Sequence, residues 1–129
     1  AYKVHAYIYF NPYTWEPGPQ LPGYPEADVE VCRAVRQAVG DDMVLMLDPF
    51  GVYTLEQSLW VGRELEKLGF YWLEHPMIET RLEAYRRLTR ELDIAICSPE
   101  HIPFEEFSRS LSCGNIYRGV FSRCSLPCG

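Results

Sequence analysis

The stretch Met43-Val44-Leu45-Met46-Leu47-Asp48-Pro49-Phe50 decides how the fold of this 129-residue chain is interpreted. It is a short apolar run that ends in a single carboxylate and is closed by a proline. A run of this length, bounded by turn residues, is typical of a parallel strand that is buried on both faces. Such a strand would deliver one acidic side chain, Asp48, to the carboxyl edge of a sheet.

Two later stretches repeat this design. They are Phe70-Tyr71-Trp72-Leu73-Glu74-His75-Pro76 and Ile94-Ala95-Ile96-Cys97-Ser98-Pro99-Glu100. The acids Asp48, Glu74 and Glu100 follow one another at intervals of 26 residues, which is the length expected of one strand-plus-helix unit in a parallel α/β fold. The three carboxylates are therefore expected at the ends of consecutive strands.

The segments between these strands have helical patterns. Residues 28–39 carry an apolar helical stripe ended by Gly40. A capping box at Thr54 opens a second helix that runs to Leu68, and a similar signal at Thr80 opens a third. Together with a first strand from Lys3 to Phe10, the order β-α-β-α-β-α-β predicts a parallel sheet with right-handed crossovers.

Period-two alternation predicts which side chains share a face. Asp48 is grouped with Val44 and Met46, Glu74 with Trp72, and Glu100 with Ile96 and Ser98. Three adjacent anions could not all stay ionised unaided, and a divalent cation would remove the repulsion. Because oxygen ligands select a hard ion, the expected occupant is Mg²⁺, with Asp48, Glu74 and Glu100 as its ligands.

The three histidines also stand near predicted strand ends. His75 and His101 point away from the acids by parity, and we expect them to be structural. His5 shares a face with Lys3. This pair offers a cation for an anionic substrate and a group that titrates near neutrality, so both are candidate catalytic residues.

Composition narrows the class of protein. The chain is 47% hydrophobic and 23% charged with a net charge of −6, and no basic stripe favours nucleic acid. No apolar run is long enough to predict a transmembrane helix. The five cysteines have no CxxC spacing, which favours free thiols in a cytoplasmic protein over a metal or disulfide site.

Two segments lack periodicity. Residues 11–25 are rich in proline and aromatic residues, and two interpretations stay open for them: a loop that covers substrate, or a structural flap. Residues 104–129 are expected to form a short helix followed by an irregular tail.

These motifs resemble the enolase superfamily in its mandelate racemase and muconate lactonizing branch. The resemblance rests on Lys3-Val4-His5, Leu47-Asp48, Trp72-Leu73-Glu74-His75-Pro76 and Ser98-Pro99-Glu100-His101, and it covers residues 1–103. It implies that the three acids bind Mg²⁺ at the ends of the third, fourth and fifth strands of a (β/α) barrel. It also implies that His5 stands in place of the second lysine of the family's Lys-x-Lys motif.

The resemblance implies a type of chemistry, which is abstraction of a proton α to a carboxylate. Mg²⁺ would stabilise the enediolate, Lys3 would hold the carboxylate of an acid-sugar substrate, and His5 would be the candidate base. If the chain is active, it would be a Mg-dependent lyase or isomerase, either a dehydratase or a racemase. Weak activity or none is expected from the chain alone.

Length limits how much of a barrel the chain can form. Since a complete (β/α)₈ barrel needs about 250 residues, the expected fold is a partial TIM-type barrel: residues 1–103 as four parallel strands with crossover helices. This half barrel would correspond to barrel strands two to five, without the capping domain. Its open sheet edges and apolar inner face predict a homo-oligomer, a dimer in which two halves close a barrel or stack their faces.

Two rival functions remain open at this point. One is a non-catalytic interaction module that uses the loop 11–25 as its contact surface. The other is a full enzyme whose missing half comes from a second chain.

Overall fold

The computed structural model describes residues 1–5, 24–78, 82–98 and 105. In these residues, four strands alternate with three helices, which are β1 (Tyr2–His5), α1 (Pro25–Val39), β2 (Leu45–Asp48), α2 (Leu55–Lys67), β3 (Trp72–Glu74), α3 (Leu82–Glu91) and β4 (Ala95–Cys97). The strands are parallel and lie side by side in chain order. This arrangement confirms the α/β class and the half-barrel topology predicted from the sequence.

The register between strands determines which residues share a face. His5 pairs with Asp48, Lys3 with Met46, and Met46 with Trp72. Partners in a parallel ladder point to the same side of the sheet. The same side therefore carries Lys3, His5, Asp48 and, two residues beyond Trp72, Glu74; we call it the site face.

The predicted face of the fourth strand is wrong. Glu74 pairs with Cys97, so Cys97 and not Ser98 lies on the site face. Ile96 pairs with Leu73 on the opposite side, where it is buried in the core. Strict alternation holds only within a strand, and β4 ends at Cys97, so the position of Glu100 in the sequence does not determine the face of Ile96. Glu100 itself lies outside the described residues.

The hydrophobic core lies between the helices and the side of the sheet opposite the site face. Strand residues of that side pack with apolar residues of the helices, among them Val4, Leu45, Leu47, Leu73, Ile96, Val29, Cys32, Val61, Leu65, Tyr85 and Leu88. All four residues of β2 are buried, as expected of an inner parallel strand. Burial raises the pKa of the Cys32 thiol to about 12, so this thiol stays protonated near neutral pH.

Helix α1 begins earlier than predicted. It starts at Pro25, three residues before the expected Asp28, because proline has no N–H to lose at the first turn and already has a helical φ. Asp28 is buried and accepts a hydrogen bond from the Tyr53 hydroxyl. Burial and this hydrogen bond raise the pKa of Tyr53 far above its ordinary value. Pro25 therefore belongs to a helix, whereas residues 6–23 lie outside the described part.

The capping box predicted at Thr54 is present. The Thr54 hydroxyl accepts the Gln57 N–H, and the Gln57 side chain accepts the Thr54 N–H. The helix ends at Lys67, shortly before Gly69, whose φ of +65° is in the left-handed region. The capping signal at Thr80 lies outside the described residues, and so do the predicted strand extension to residue 10 and nearly all of the 104–129 tail.

Arg36, near the end of α1, joins the segment that follows α1 to the segment that follows α2. Its guanidinium donates hydrogen bonds to the carbonyl oxygens of Leu68, Gly69, Gly40 and Met43. The guanidinium carbon also lies 5.8 Å from the centroid of the Phe70 ring, within range of a cation–π contact. One side chain thus caps the ends of α1 and α2 and fixes the starts of β2 and β3.

The remaining sequence predictions concern membranes and cysteines. None of the helices in the described part of the chain has the length and apolar character needed to cross a bilayer. Cys32 and Cys97 are thiols, not disulfide-bonded.

Candidate functional site

A lysine lies between two carboxylates at the carboxyl end of the sheet. Lys3 Nζ donates hydrogen bonds to Asp48 Oδ2 at 3.1 Å and to Glu74 Oε2 at 3.0 Å. These three residues come from three adjacent strands, and the shared register aligns them. Two predicted metal ligands and one predicted catalytic residue are therefore brought to one place.

Asp48 is held by the turn that follows β2. Its carboxylate is only 3% exposed, and Oδ1 accepts the Phe50 N–H at 3.1 Å. This is a local Asx-type turn of the kind that an Asp-Pro sequence favours. Because Oδ1 is bound to the turn, Oδ2 is the oxygen directed at Lys3. Asp48 thus has both a turn role and a site role.

Glu74 is held by its own strand. Its Oε2 accepts hydrogen bonds from Lys3 and, at 3.2 Å, from the indole N–H of Trp72. The carboxylate is 18% exposed. Trp72 has the same strand parity as Glu74, and this parity is the sequence signal that could have identified it as a supporting residue.

The loops after β2 and β3 are bonded to each other. The Gly51 N–H donates to the His75 carbonyl at 2.6 Å, and the Tyr53 N–H donates to the Pro76 carbonyl at 3.0 Å. The His75 N–H donates in turn to the Cys97 carbonyl at 2.8 Å. These backbone bonds fix the separation of the loops that follow the two acid-bearing strands, without using the acids themselves.

Gly51 makes this close approach possible. Its φ is +77°, and a Cβ at this position would lie 2.9 Å from the imidazole Nε2 of His75. His75 is buried, with its ring 6.0 Å from that of Phe50. His75 therefore packs between loops, in agreement with the structural role expected of it. The Asp-Pro-Phe-Gly turn was the available sequence signal for Gly51.

His5 lies at the edge of the site. Its Nδ1 is 3.6 Å from Asp48 Oδ2, and its side chain is 57% exposed. This distance is within ion-pair range but is too long for a hydrogen bond. His5 is thus close to Asp48, with most of its side chain open to solvent.

Lys3 is charged in this setting. Burial by itself lowers the pKa of Lys3, but the hydrogen bonds to Glu74 and Asp48 and the attraction of their charges outweigh it and raise that pKa. The ammonium neutralises part of the repulsion that two neighbouring carboxylates would otherwise have.

The arrangement fits a hard cation. Asp48 Oδ2 and Glu74 Oε2 converge on one positively charged atom, Lys3 Nζ, and carboxylate oxygens are the ligands that Mg²⁺ prefers. Across residues 1–5, 24–78, 82–98 and 105, no three His, Cys, Asp or Glu side chains are grouped closely enough to hold a metal ion. The predicted third ligand, Glu100, and His101 lie outside these residues.

Comparison with known proteins gives the family. The sequence profile of the enolase C-terminal domain-like family matches residues 5–116. The chain belongs to this family. The resemblance to the mandelate racemase and muconate lactonizing branch of the enolase superfamily is thereby confirmed.

Relatives within the family include acid-sugar enzymes. The chain is 40% identical over 75 residues to arabinonate dehydratase from Saccharolobus solfataricus, a match that covers 58% of this chain and 20% of the relative. The structure of this chain is similar to that of D-glucarate dehydratase from Agrobacterium tumefaciens, which was solved in complex with magnesium. That match has a TM-score of 0.69 and 37% identity, and it covers 87% of this chain and 28% of the other.

A second solved structure represents the racemase branch. A mandelate racemase/muconate lactonizing protein from Paracoccus denitrificans, also in complex with magnesium, has a TM-score of 0.63 and 27% identity, covering 70% of this chain and 25% of the other. This enolase-family chain therefore spans less than a third of the length of these relatives.

Proposed function

We propose that this chain binds Mg²⁺ at the carboxyl end of its sheet through Asp48, Glu74 and Glu100. The observation that carries the proposal is the convergence of Asp48 Oδ2 and Glu74 Oε2 on one cationic atom. Two of the structural neighbours were solved with magnesium, which supports the choice of ion. The proposed substrate is a small carboxylate of the acid-sugar class, on which relatives such as arabinonate dehydratase act.

The proposed reaction is proton transfer at the carbon next to the substrate carboxylate. When bound, the Mg²⁺ ion would supply Lewis-acid stabilisation of the charge that develops on that carboxylate. The ammonium of Lys3, whose side chain is 33% exposed, would bind a carboxylate oxygen of the substrate. This contact would orient the substrate and offset its negative charge.

His5 is the proposed base. Its Nδ1 lies 3.6 Å from Asp48 Oδ2, and the charge of that carboxylate would favour a proton on Nδ1 over one on Nε2. The other nitrogen, Nε2, would then accept the α proton. The activity would be that of a lyase or isomerase, and we propose that it is weak or absent in the chain alone.

Removal of one proposed ligand tests the metal site. Glu74→Gln keeps the size of the side chain but removes its charge, so Mg²⁺ affinity is expected to fall at least about tenfold, equivalent to 1.4 kcal/mol. Isothermal titration calorimetry measures this directly. The same substitution at the exposed Glu83 on α3, Glu83→Gln, is the matched control and should leave the affinity unchanged. Equal Mg²⁺ binding by wild type and Glu74→Gln would disprove the site.

We also propose that two copies of the chain associate. A (β/α)₈ barrel closes with eight strands, and four parallel strands are described here, so a pair of chains would supply the number required. Light scattering coupled to size-exclusion chromatography is expected to give twice the mass of one chain. A single-chain mass across the accessible concentration range would refute the dimer.

A further inference from the structure

The ammonium of Lys3 lies between the two carboxylates, Asp48 and Glu74, that the proposed metal site would use. Its hydrogen bonds go to Asp48 Oδ2 and Glu74 Oε2 at 3.1 and 3.0 Å. Both distances are ordinary for a charged hydrogen bond. A bound Mg²⁺ would require oxygens at about 2.0–2.1 Å, in a nearly octahedral arrangement. The ammonium and Mg²⁺ would therefore bind the same two carboxylate oxygens, but at different distances.

The other hydrogen bonds of Asp48 and Glu74 determine which carboxylate oxygen of each residue is directed into the site. Asp48 Oδ1 accepts the Phe50 N–H, so Oδ2 is the oxygen of Asp48 directed into the site. Glu74 Oε2 receives the Trp72 indole N–H as well as Lys3. These contacts aim one oxygen of each carboxylate at the point where Lys3 Nζ lies. An incoming divalent ion would meet a like charge at that point.

We propose that Lys3 is a built-in competitor of the divalent cation, so that its ammonium limits the metal affinity of the Asp48–Glu74 pair. The inference deepens the proposed function and rests on it. When the metal binds, the Lys3 side chain must leave its position between the carboxylates. A route is available because this side chain is 33% exposed, whereas the Asp48 carboxylate is 3% exposed and held by its turn. Lys3 is therefore the member of the trio that moves.

Backbone hydrogen bonds next to the acids make the competition effective. The Gly51–His75 and Tyr53–Pro76 bonds hold together the loops that follow the two acid-bearing strands. If the acids could separate freely, they could bind the metal elsewhere and leave Lys3 in place. Because they are held, exchange of one cation for the other at a fixed pair of carboxylates is the expected outcome.

The test compares Mg²⁺ binding to charged and neutral residues at position 3. Lys3→Met removes the ammonium but keeps much of the apolar stem, and its affinity for Mg²⁺ measured by calorimetry is expected to be at least tenfold higher than that of the wild type. Lys3→Arg retains the charge and should stay within about threefold of the wild type. Lys67→Met, the matched control, removes an exposed lysine paired with Glu64 on α2 and should leave the Mg²⁺ affinity unchanged.

A second measurement does not depend on enzyme activity. Without its ammonium bridge, metal-free Lys3→Met has two facing carboxylates and is expected to melt at a lower temperature than the wild type. Saturating Mg²⁺ should then raise the melting temperature more in Lys3→Met than in the wild type, because binding stabilises the folded state. If Lys3→Met does not fold, Lys3→Gln serves the same purpose with a neutral group that can still donate hydrogen bonds.

The outcomes separate the two proposals. Tighter Mg²⁺ binding by the neutral variant, with Lys3→Arg near the wild type, supports competition. Equal or weaker binding by the neutral variant overturns competition but leaves the proposed metal site intact. Absence of Mg²⁺ binding in the wild type and in every Lys3 variant overturns the proposed function, and the competition with it.

Discussion

Arg36→Met is expected to lower the free energy of unfolding by about 3 kcal/mol. Two of the four hydrogen bonds that Arg36 donates, to the carbonyls of Leu68 and Met43, are partly buried. A carbonyl that loses its donor where water cannot replace it costs roughly 1–3 kcal/mol. The two exposed bonds add little, because water can take the place of the guanidinium. Urea unfolding followed by circular dichroism measures the change.

A matched control isolates the role of this guanidinium. Arg33 lies on the same helix and forms ion pairs with Glu30 and Glu64. Such pairs near the surface contribute about 0.2–1 kcal/mol, so Arg33→Met should cost less than 1 kcal/mol. Arg36→Lys is expected to recover only part of the loss, since one ammonium cannot reach four carbonyls. Equal losses for Arg36→Met and Arg33→Met would contradict the interpretation.

Gly51→Ala is expected to destabilise the protein by about 3 kcal/mol and to weaken Mg²⁺ binding at the proposed site. A non-glycine residue in the left-handed region costs roughly 1–2 kcal/mol. The added Cβ would also lie 2.9 Å from the buried His75 ring, and overpacking of this kind typically costs another 1–3 kcal/mol. The loop that follows Asp48 must then shift away from the loop that follows Glu74. Thermal unfolding and Mg²⁺ calorimetry measure the two effects.

Gly40 offers a control that also has a positive φ. Its φ is +74°, close to the +77° of Gly51, but a Cβ on Gly40 would meet no atom within 4 Å. Gly40→Ala should therefore show only the backbone cost and leave Mg²⁺ affinity unchanged. If the two alanine variants lose the same stability and bind Mg²⁺ equally, the Gly51–His75 contact has no role in holding the site together.

Arg36 and Gly51 act at opposite ends of the sheet. Arg36 fixes the amino-terminal ends of the strands, far along the sheet from the acids, whereas Gly51 acts at the carboxyl ends. Arg36→Met is therefore expected to reduce stability without changing the local geometry of Asp48 and Glu74. Gly51→Ala should change both, and comparison of the two variants separates global stability from the arrangement of the site.

Local sequence patterns determined most of the architecture. The apolar runs that end in Asp48 and Glu74 predicted inner parallel strands, and the capping box at Thr54 predicted the start of α2. These features depend on residues within a few positions of each other, so they can be predicted from the sequence alone. The same patterns place Asp48 and Glu74 at the carboxyl ends of their strands. Because the two strands are parallel neighbours, these ends lie at the same edge of the sheet.

Contacts between distant segments could not be deduced in this way. The fourth strand was assigned the wrong face because the register that pairs Glu74 with Cys97 depends on how two separate segments dock. The burial of Asp28 against Tyr53 depends in the same way on tertiary structure.

The sequence by itself therefore determined the order of elements, the strand ends that carry the acids, and the sharing of one face by Lys3 and His5. Only the tertiary structure decided that Lys3 Nζ lies between Asp48 and Glu74, that Gly51 packs on His75, and that Arg36 joins four carbonyls. The physical reason is one of range. Periodicity and capping arise from neighbours along the chain, whereas these contacts join groups that become neighbours only after the strands align and the helices pack.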